Sequence, residues 1–126
     1  MSNLVKVILK KGREESLKRF HPWVFSGAIA QIAGEPAEGD VVGVYASDGT
    51  FLAAGHYQVG SIAVRILSFD SDVQSPDFWQ IMIRRALDAR IATGLAHEPE
   101  TPCAGICETN CYRLVHGEGD NLPGLI

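Results

Sequence analysis

Apolar residues in the first half of the chain fall in short β-branched runs, separated by polar or glycine-rich breaks. Leu4 to Leu9 (LVKVIL) puts Val5, Val7 and Leu9 on one side of an extended segment, which predicts a strand. After Gly12, REESLKRF predicts a short helix, with Glu14 and Glu15 near its positive end and Lys18 and Arg19 near its negative end. Leu17 and Phe20 would form its buried side, and Pro22 would end it. WVFSGAIAQIA, broken at Ser26-Gly27, predicts one or two strands, and GEPAEGD (34–40) is loop chemistry. VVGVYA and TFLAAGHY flank Ser47-Asp48-Gly49, where Asp-Gly points to a hairpin with a tight primed turn. Ile62 to Leu67 (IAVRIL) predicts a further strand. Short strands in this number imply a small closed β-structure, because closure removes exposed edges.

The pattern changes at Ser75-Pro76-Asp77, which reads as a helix start with serine as cap and proline in the first helical position. Trp79, Ile83, Leu87 and Ile91 repeat every four residues, Met82 and Ala86 widen the stripe, and Gly94 supplies the stop. Residues 96–109 read as a linker or long loop. Cys111 to Val115 (CYRLV) predicts a strand, and GEGDN a turn towards Leu125 and Ile126, which look like the opening of another strand. The expected fold class is mainly β with short helices, an α+β arrangement.

With 46% hydrophobic and 21% charged residues the chain has the composition of a globular domain and not of a disordered one. No apolar run approaches the roughly 18 residues that span a bilayer, and the start of the chain lacks a secretory signal, so a cytoplasmic protein without membrane partners is expected. Cys103, Cys107 and Cys111 are spaced C-x3-C-x3-C, with only His97 or His116 as a fourth ligand. Free thiols are favoured over a metal site, and no metal is expected. Gly117-Glu118-Gly119 has the G-x-G of a nucleotide-binding turn, but Pro123 and Gly124 follow where a helix should, so a hairpin turn is expected instead. No nucleophile elbow, phosphate loop or paired acid and base is present, and no catalytic residue is assigned.

Charge changes this picture. The net charge is −4, yet six of the eleven basic residues and only two of the fifteen acidic ones lie in the first 21 positions. Such asymmetry is a hint of polyanion binding. In KKGREESLKRFHPW, cations around a glycine turn precede His21 and Trp23, a combination suited to phosphates and unpaired bases. The same residues also suit an ordinary helix surface, with Glu14–Lys18 and Glu15–Arg19 pairs and Trp23 to Phe25 in the core. Lys6, Lys10, Lys11 and Arg13 would then remain as uncommitted cations.

KKGREESLKRFHPWVFSGAI and YRLVHGEGDNLPGLI together resemble the bacterial S-adenosylmethionine-dependent ribosomal RNA large-subunit methyltransferases that modify cytosine at carbon 5. The resemblance implies a PUA-like RNA-binding pseudo-barrel over residues 1–69, a helix and linker over 70–109, and the start of a central α+β domain over 110–126. The methyltransferase domain would lie beyond Ile126, making the chain a truncated, inactive piece. S-adenosylmethionine would be the cofactor of the whole protein and is not expected to bind here. None of the three cysteines matches the cytosine-attacking nucleophile. Gln-Val-Gly-Ser at residues 58–61 departs from the family's Asn-Pro-x-Ser. The implied partner is ribosomal RNA, held in a groove beside the short helix and the strand after it. Lys10, Lys11, Arg13 and Lys18 would meet phosphates with Arg19 alongside, His21 or Trp23 would meet a base or ribose, and Gly27 would let backbone approach a phosphate. The alternative is a stand-alone RNA- or protein-binding module that forms a homodimer through its C-terminal strand.

Overall fold

A computed structural model describes residues 4–97 and 111–125. The chain divides into two compact units, Met1–Gln74 and Ser75–Ile126.

The first unit runs β1 (Val5–Leu9), α1 (Glu15–Lys18), β2 (Trp23–Phe25), a 3-10 turn (Ser26–Ala28), β3 (Ile29–Ala33), β4 (Val41–Tyr45), β5 (Phe51–Tyr57), β6 (Ile62–Ser68) and a second 3-10 turn (Ser71–Gln74). All six strands form one sheet in the order β2-β6-β5-β4-β1-β3, antiparallel except for the parallel pair β1 and β4. The outermost strands, β2 and β3, are consecutive in sequence. Laid flat, six strands would hold them roughly 24 Å apart, whereas the residues from Phe25 to Ile29 reach at most about 14 Å. The sheet therefore curls into a pseudo-barrel whose open seam lies between β2 and β3. Register shifts at Ile8/Leu9, Val24/Phe25, Val44/Tyr45 and Ala54/Gly55 supply the bends. At the last of these a Cβ on residue 55 would lie 2.1 Å from the Arg65 carbonyl oxygen, so only glycine fits.

Strand alternation fills the interior. Val7 and Leu9, Val42 and Val44, and Val64 and Ile66 stand two apart on their strands and are all buried, with Leu17 of α1 closing the same cluster. Each such side chain contributes on the order of 1.5–3 kcal/mol by leaving water.

Helix α1 is shorter than its sequence predicts. The Phe20 N–H donates to Leu17 O at 2.9 Å and the His21 N–H to Ser16 O at 3.0 Å, a Schellman closure with Phe20 in the left-handed position at φ +62°. The helix has ended before Pro22, so Phe20 is 71% exposed instead of buried beside Leu17, and its ring meets Phe69 edge-on at 5.1 Å. Lys18 pairs with Glu15 at 3.4 Å rather than with Glu14. The β4–β5 connection is a three-residue loop and not a two-residue primed turn: Gly49, at φ +88°, donates to Ala46 O at 3.0 Å, and Ala46 donates to Thr50 O at 2.9 Å. Asp48 accepts from the Thr50 N–H at 2.8 Å.

In the second unit α2 spans Phe78–Ala92 and ends as expected, with Gly94 at φ +80° donating to Ile91 O and Leu95 to Arg90 O. Asp77, not Ser75, occupies the N-cap position. The buried row is Phe78, Met82 and Ala86, while Trp79 and Ile83 of the expected stripe remain 38% and 40% exposed. Two adjacent apolar rows run along this helix, about 100° apart, and periodicity alone does not choose between them. Residues 111–115 form no strand, and a 3-10 turn at Gly117–Asp120 replaces the expected hairpin turn. A strand needs a neighbour to satisfy its backbone, and none stands beside these residues among the described ones. Leu122 is fully buried and Leu125 half-buried, while Ile126 and most of the 96–109 segment lie outside the described residues.

Candidate nucleic-acid interface

The seam of the curled sheet is where backbone and side chains stay available. Pro22 O accepts from the Ile66 N–H at 2.7 Å, and Trp23 stands opposite Arg65 in the same register. Antiparallel pairing alternates, so Trp23 is a non-hydrogen-bonded position whose N–H and C=O face away from β6, towards the free edge. His21 covers them. His21 Nδ1 lies 3.2 Å from the Trp23 N–H and 3.3 Å from the Trp23 carbonyl oxygen, so it caps both polar groups of that edge residue.

His21, Trp23 and Phe25 alternate along the chain and share one face. Their ring centroids are 5.9 Å apart for His21–Trp23, 6.4 Å for Trp23–Phe25 and 6.2 Å for His21–Phe25. The Arg65 guanidinium lies over the Trp23 ring, 5.7 Å from its centroid, and its Nε donates to Gln58 Oε1 at 3.1 Å. Across the seam the Lys10 N–H donates to Ala28 O at 2.9 Å and the Arg13 N–H to Lys10 O at 3.0 Å, a turn that sets both cations beside the opening. Between the two sides lies a cleft of about 430 Å³, floored by Leu9, Leu17 and Val24 and rimmed by Arg13, His21, Trp23, Phe25 and Gly27.

Four of the expected site residues, Arg13, His21, Trp23 and Gly27, thus line one cleft. Lys10 and Lys11 are exposed on the adjoining turn. Lys18 and Arg19 do not line it. Lys18 is tied to Glu15 and lies near enough to Asp48 to add slightly to the lowering of that carboxyl, whose main cause is hydrogen bonding from Thr50. Lys6 is separate again, its ammonium 5.2 Å from the Tyr45 ring centroid. A Cβ added at Gly27 would meet nothing within 4 Å, so packing inside the chain does not require glycine there. Phe25, Arg65 and Gln58 escaped the sequence reading. The H-x-W-x-F spacing was the signal for Phe25, whereas only the fold brings Arg65 to Trp23. Gln58 begins the stretch that departs from the resembled family.

The second unit holds a different constellation. Arg90 grips Asp120 with both terminal guanidinium nitrogens, at 2.6 and 2.8 Å, while its Nε donates to Arg113 O at 3.0 Å and its Nη1 also to Ala86 O at 3.3 Å. The His116 N–H donates to Asp120 Oδ2 at 2.6 Å. The hydrogen bonds from Arg90 hold the Asp120 carboxyl below the usual range and raise the guanidinium in turn. These bonds tie α2 to the Arg113–Asp120 segment and hold the Asp120 carboxylate within the unit. Cys103 and Cys107 lie outside the described residues, Cys111 is exposed, and no group of three His, Cys, Asp or Glu gathers among the described residues. No helix among them is long and apolar enough to cross a membrane.

Comparison with known proteins places the fold. The chain belongs to the PUA-like domain family, whose profile matches residues 7–69. It is 41% identical over 121 residues to the ribosomal RNA large subunit methyltransferase I of Pseudoalteromonas translucida and 38% identical over 123 residues to that of Aeromonas salmonicida. These matches cover 94% and 96% of the chain but 28% of each relative, so it spans little more than a quarter of their length. A solved structure of a proposed SAM-dependent methyltransferase from Streptococcus mutans shares the fold, with a TM-score of 0.66 at 19% identity over 96% of this chain and 29% of its own. Another, of a proposed methyltransferase complexed with SAH, gives a TM-score of 0.68 at 17% identity with the same coverage.

Proposed function

We propose that this chain is the RNA-binding part of an S-adenosylmethionine-dependent ribosomal RNA methyltransferase, docking large-subunit ribosomal RNA in the cytoplasm for a methyltransferase domain elsewhere in a longer protein. The observation that carries the reading is the convergence of Arg13, His21, Trp23 and Gly27 on one cleft at the seam, with Lys10 and Lys11 on the adjoining turn. Names of relatives that match nearly the whole chain support the substrate class. Lys10, Lys11 and Arg13 contact phosphates, His21 or Trp23 meets a base or ribose, and the backbone at Gly27 comes close to a phosphate. Lys18 and Arg19 are outer contacts that join only with a longer RNA.

S-adenosylmethionine would be the cofactor of the longer enzyme, and no residue described here is assigned to it. In the Gly117–Asp120 turn the amides of Gly119, Asn121 and Leu122 already donate to His116 O, Glu118 O and Gly117 O, and Asp120 is held by Arg90. Three of the turn's amides and its Asp120 carboxylate are thus engaged within the chain, and no chemical step is assigned to this chain.

Affinity for a large-subunit ribosomal RNA fragment, measured across a salt series, tests the reading. Three or four neutralised phosphates give a log–log slope of about −2 to −3. Replacing Lys10, Lys11 and Arg13 together by alanine should flatten that slope, and a flat response in the unaltered chain would overturn the proposal.

A further inference from the structure

We infer that the RNA this cleft takes is an unpaired segment, one base of which stacks on Phe25, and not a continuous duplex; the inference rests on the RNA-binding reading above. Phe25 is 49% exposed on the rim of the cleft, on the outward face of an edge strand. Trp23, the more obvious platform, is half-buried, and the Arg65 guanidinium sits over its ring. Its face is taken. Phe25 therefore presents the more exposed aromatic surface of the two, with the His21 ring 6.2 Å away and Arg13 on the same rim.

That combination matches one kind of occupant. An A-form duplex shows a protein its phosphates, 2′-hydroxyls and base edges but hides the base faces inside the stack, whereas an unpaired base offers a face to a flat ring. A cleft of about 430 Å³ falls in the size range of small-molecule sites, roughly 300–1,000 Å³, and suits a single splayed nucleotide. An added peptide strand along the edge of β2 is disfavoured, because the outward N–H of Trp23 already donates to His21 and is not open to a new ladder. Cations around an apolar ring also complement a nucleotide better than an apolar peptide.

The test compares two labelled RNAs of equal phosphate number, a hairpin with an unpaired loop and a blunt duplex, binding the 126-residue chain. The unaltered chain should bind the loop about tenfold more tightly. Phe25→Ala and Phe25→Leu should each lose that preference while leaving duplex affinity unchanged, and Phe25→Tyr should keep it. Leucine preserves the apolar contact without the flat face, so a loss common to alanine and leucine is not a packing effect. Equal binding of the two RNAs by the unaltered chain, or full loop preference in Phe25→Leu, overturns the inference while the RNA-binding reading stands. Binding to neither RNA removes both.

Discussion

In the β unit Val7, Val42, Val44, Ala53 and Val64 all reach zero exposure on mutually bonded strands, whereas among the described residues of the C-terminal unit only Leu122 does, and an ion pair closes around Asp120. The C-terminal unit also leaves Trp79, Ile81, Ile83, Leu95, Tyr112 and Leu114 between 38% and 47% exposed. Stability in the first unit is spread over many small apolar contacts, so no single group governs it. In the second it is concentrated in few contacts, one of them charged, and therefore sensitive to pH. The proposed binding site follows the same division. The stiff barrel can hold a cleft at its seam because its core does not depend on the residues that rim it.

The same deletion made in both cores should break them unequally. Leu9→Ala, at a position 1% exposed beneath the cleft, should cost about 3–5 kcal/mol, because the surrounding strands cannot close over the cavity. Leu122→Ala should cost nearer 2–3 kcal/mol, since its thinner surroundings can collapse. Denaturant unfolding of the two variants checks the order, and equal losses would show that the C-terminal unit is as tightly packed as the barrel. Next in size is Gly55→Ala, where the new methyl would press on the Arg65 carbonyl and cost roughly 1–3 kcal/mol.

The Arg90–Asp120 pair should make the second unit the acid-sensitive one. Its folded-state carboxyl lies below its unfolded value, so the folded state binds fewer protons in that interval. The contribution is complete above an unfolded value near about 3.9 and is lost as pH falls through the folded one. Asp120→Asn should lower the unit's Tm by roughly 5 °C at neutral pH and remove much of its pH dependence below about 4. Circular dichroism at the helical band, carried mainly by α2, reads this out. A variant with the unaltered chain's acid profile would show that other groups set it.

These differences also explain what the sequence could reveal. Period-two alternation marks Val7 and Leu9 or Val42 and Val44 as inward because a strand has only two faces, and the β-rich runs were legible as strands, although whether WVFSGAIAQIA held one strand or the two observed, β2 and β3, was open. Helix α2 has two adjacent apolar rows, and the choice of Phe78 and Met82 over Trp79 and Ile83 was made by packing partners that periodicity does not name. Arg90 and Asp120 lie thirty residues apart, with no local pattern to link them. The seam shows the same split. Arg13, His21 and Trp23 were legible as a charged and aromatic run, whereas Arg65 joined them only through the register of β2 on β6.

The smallest expected effect on stability gives the sharpest contrast with Gly55. At Gly27 a methyl would meet nothing within 4 Å, and the backbone there is not in the left-handed region. Gly27→Ala should therefore leave the β unit within about 0.5 kcal/mol of its original stability, or raise it slightly by restricting the unfolded chain. If backbone comes close to a phosphate at this rim, the same methyl should still weaken RNA binding, by about tenfold for one displaced charge-assisted hydrogen bond. Stability and affinity would then move independently at residue 27, while at residue 55 any loss of binding would follow loss of fold. Thermal unfolding and an RNA titration on both variants separate the cases. Undiminished affinity in Gly27→Ala would mean that the glycine serves neither the fold nor the ligand, and that the phosphate path runs over Lys10 and Lys11 instead.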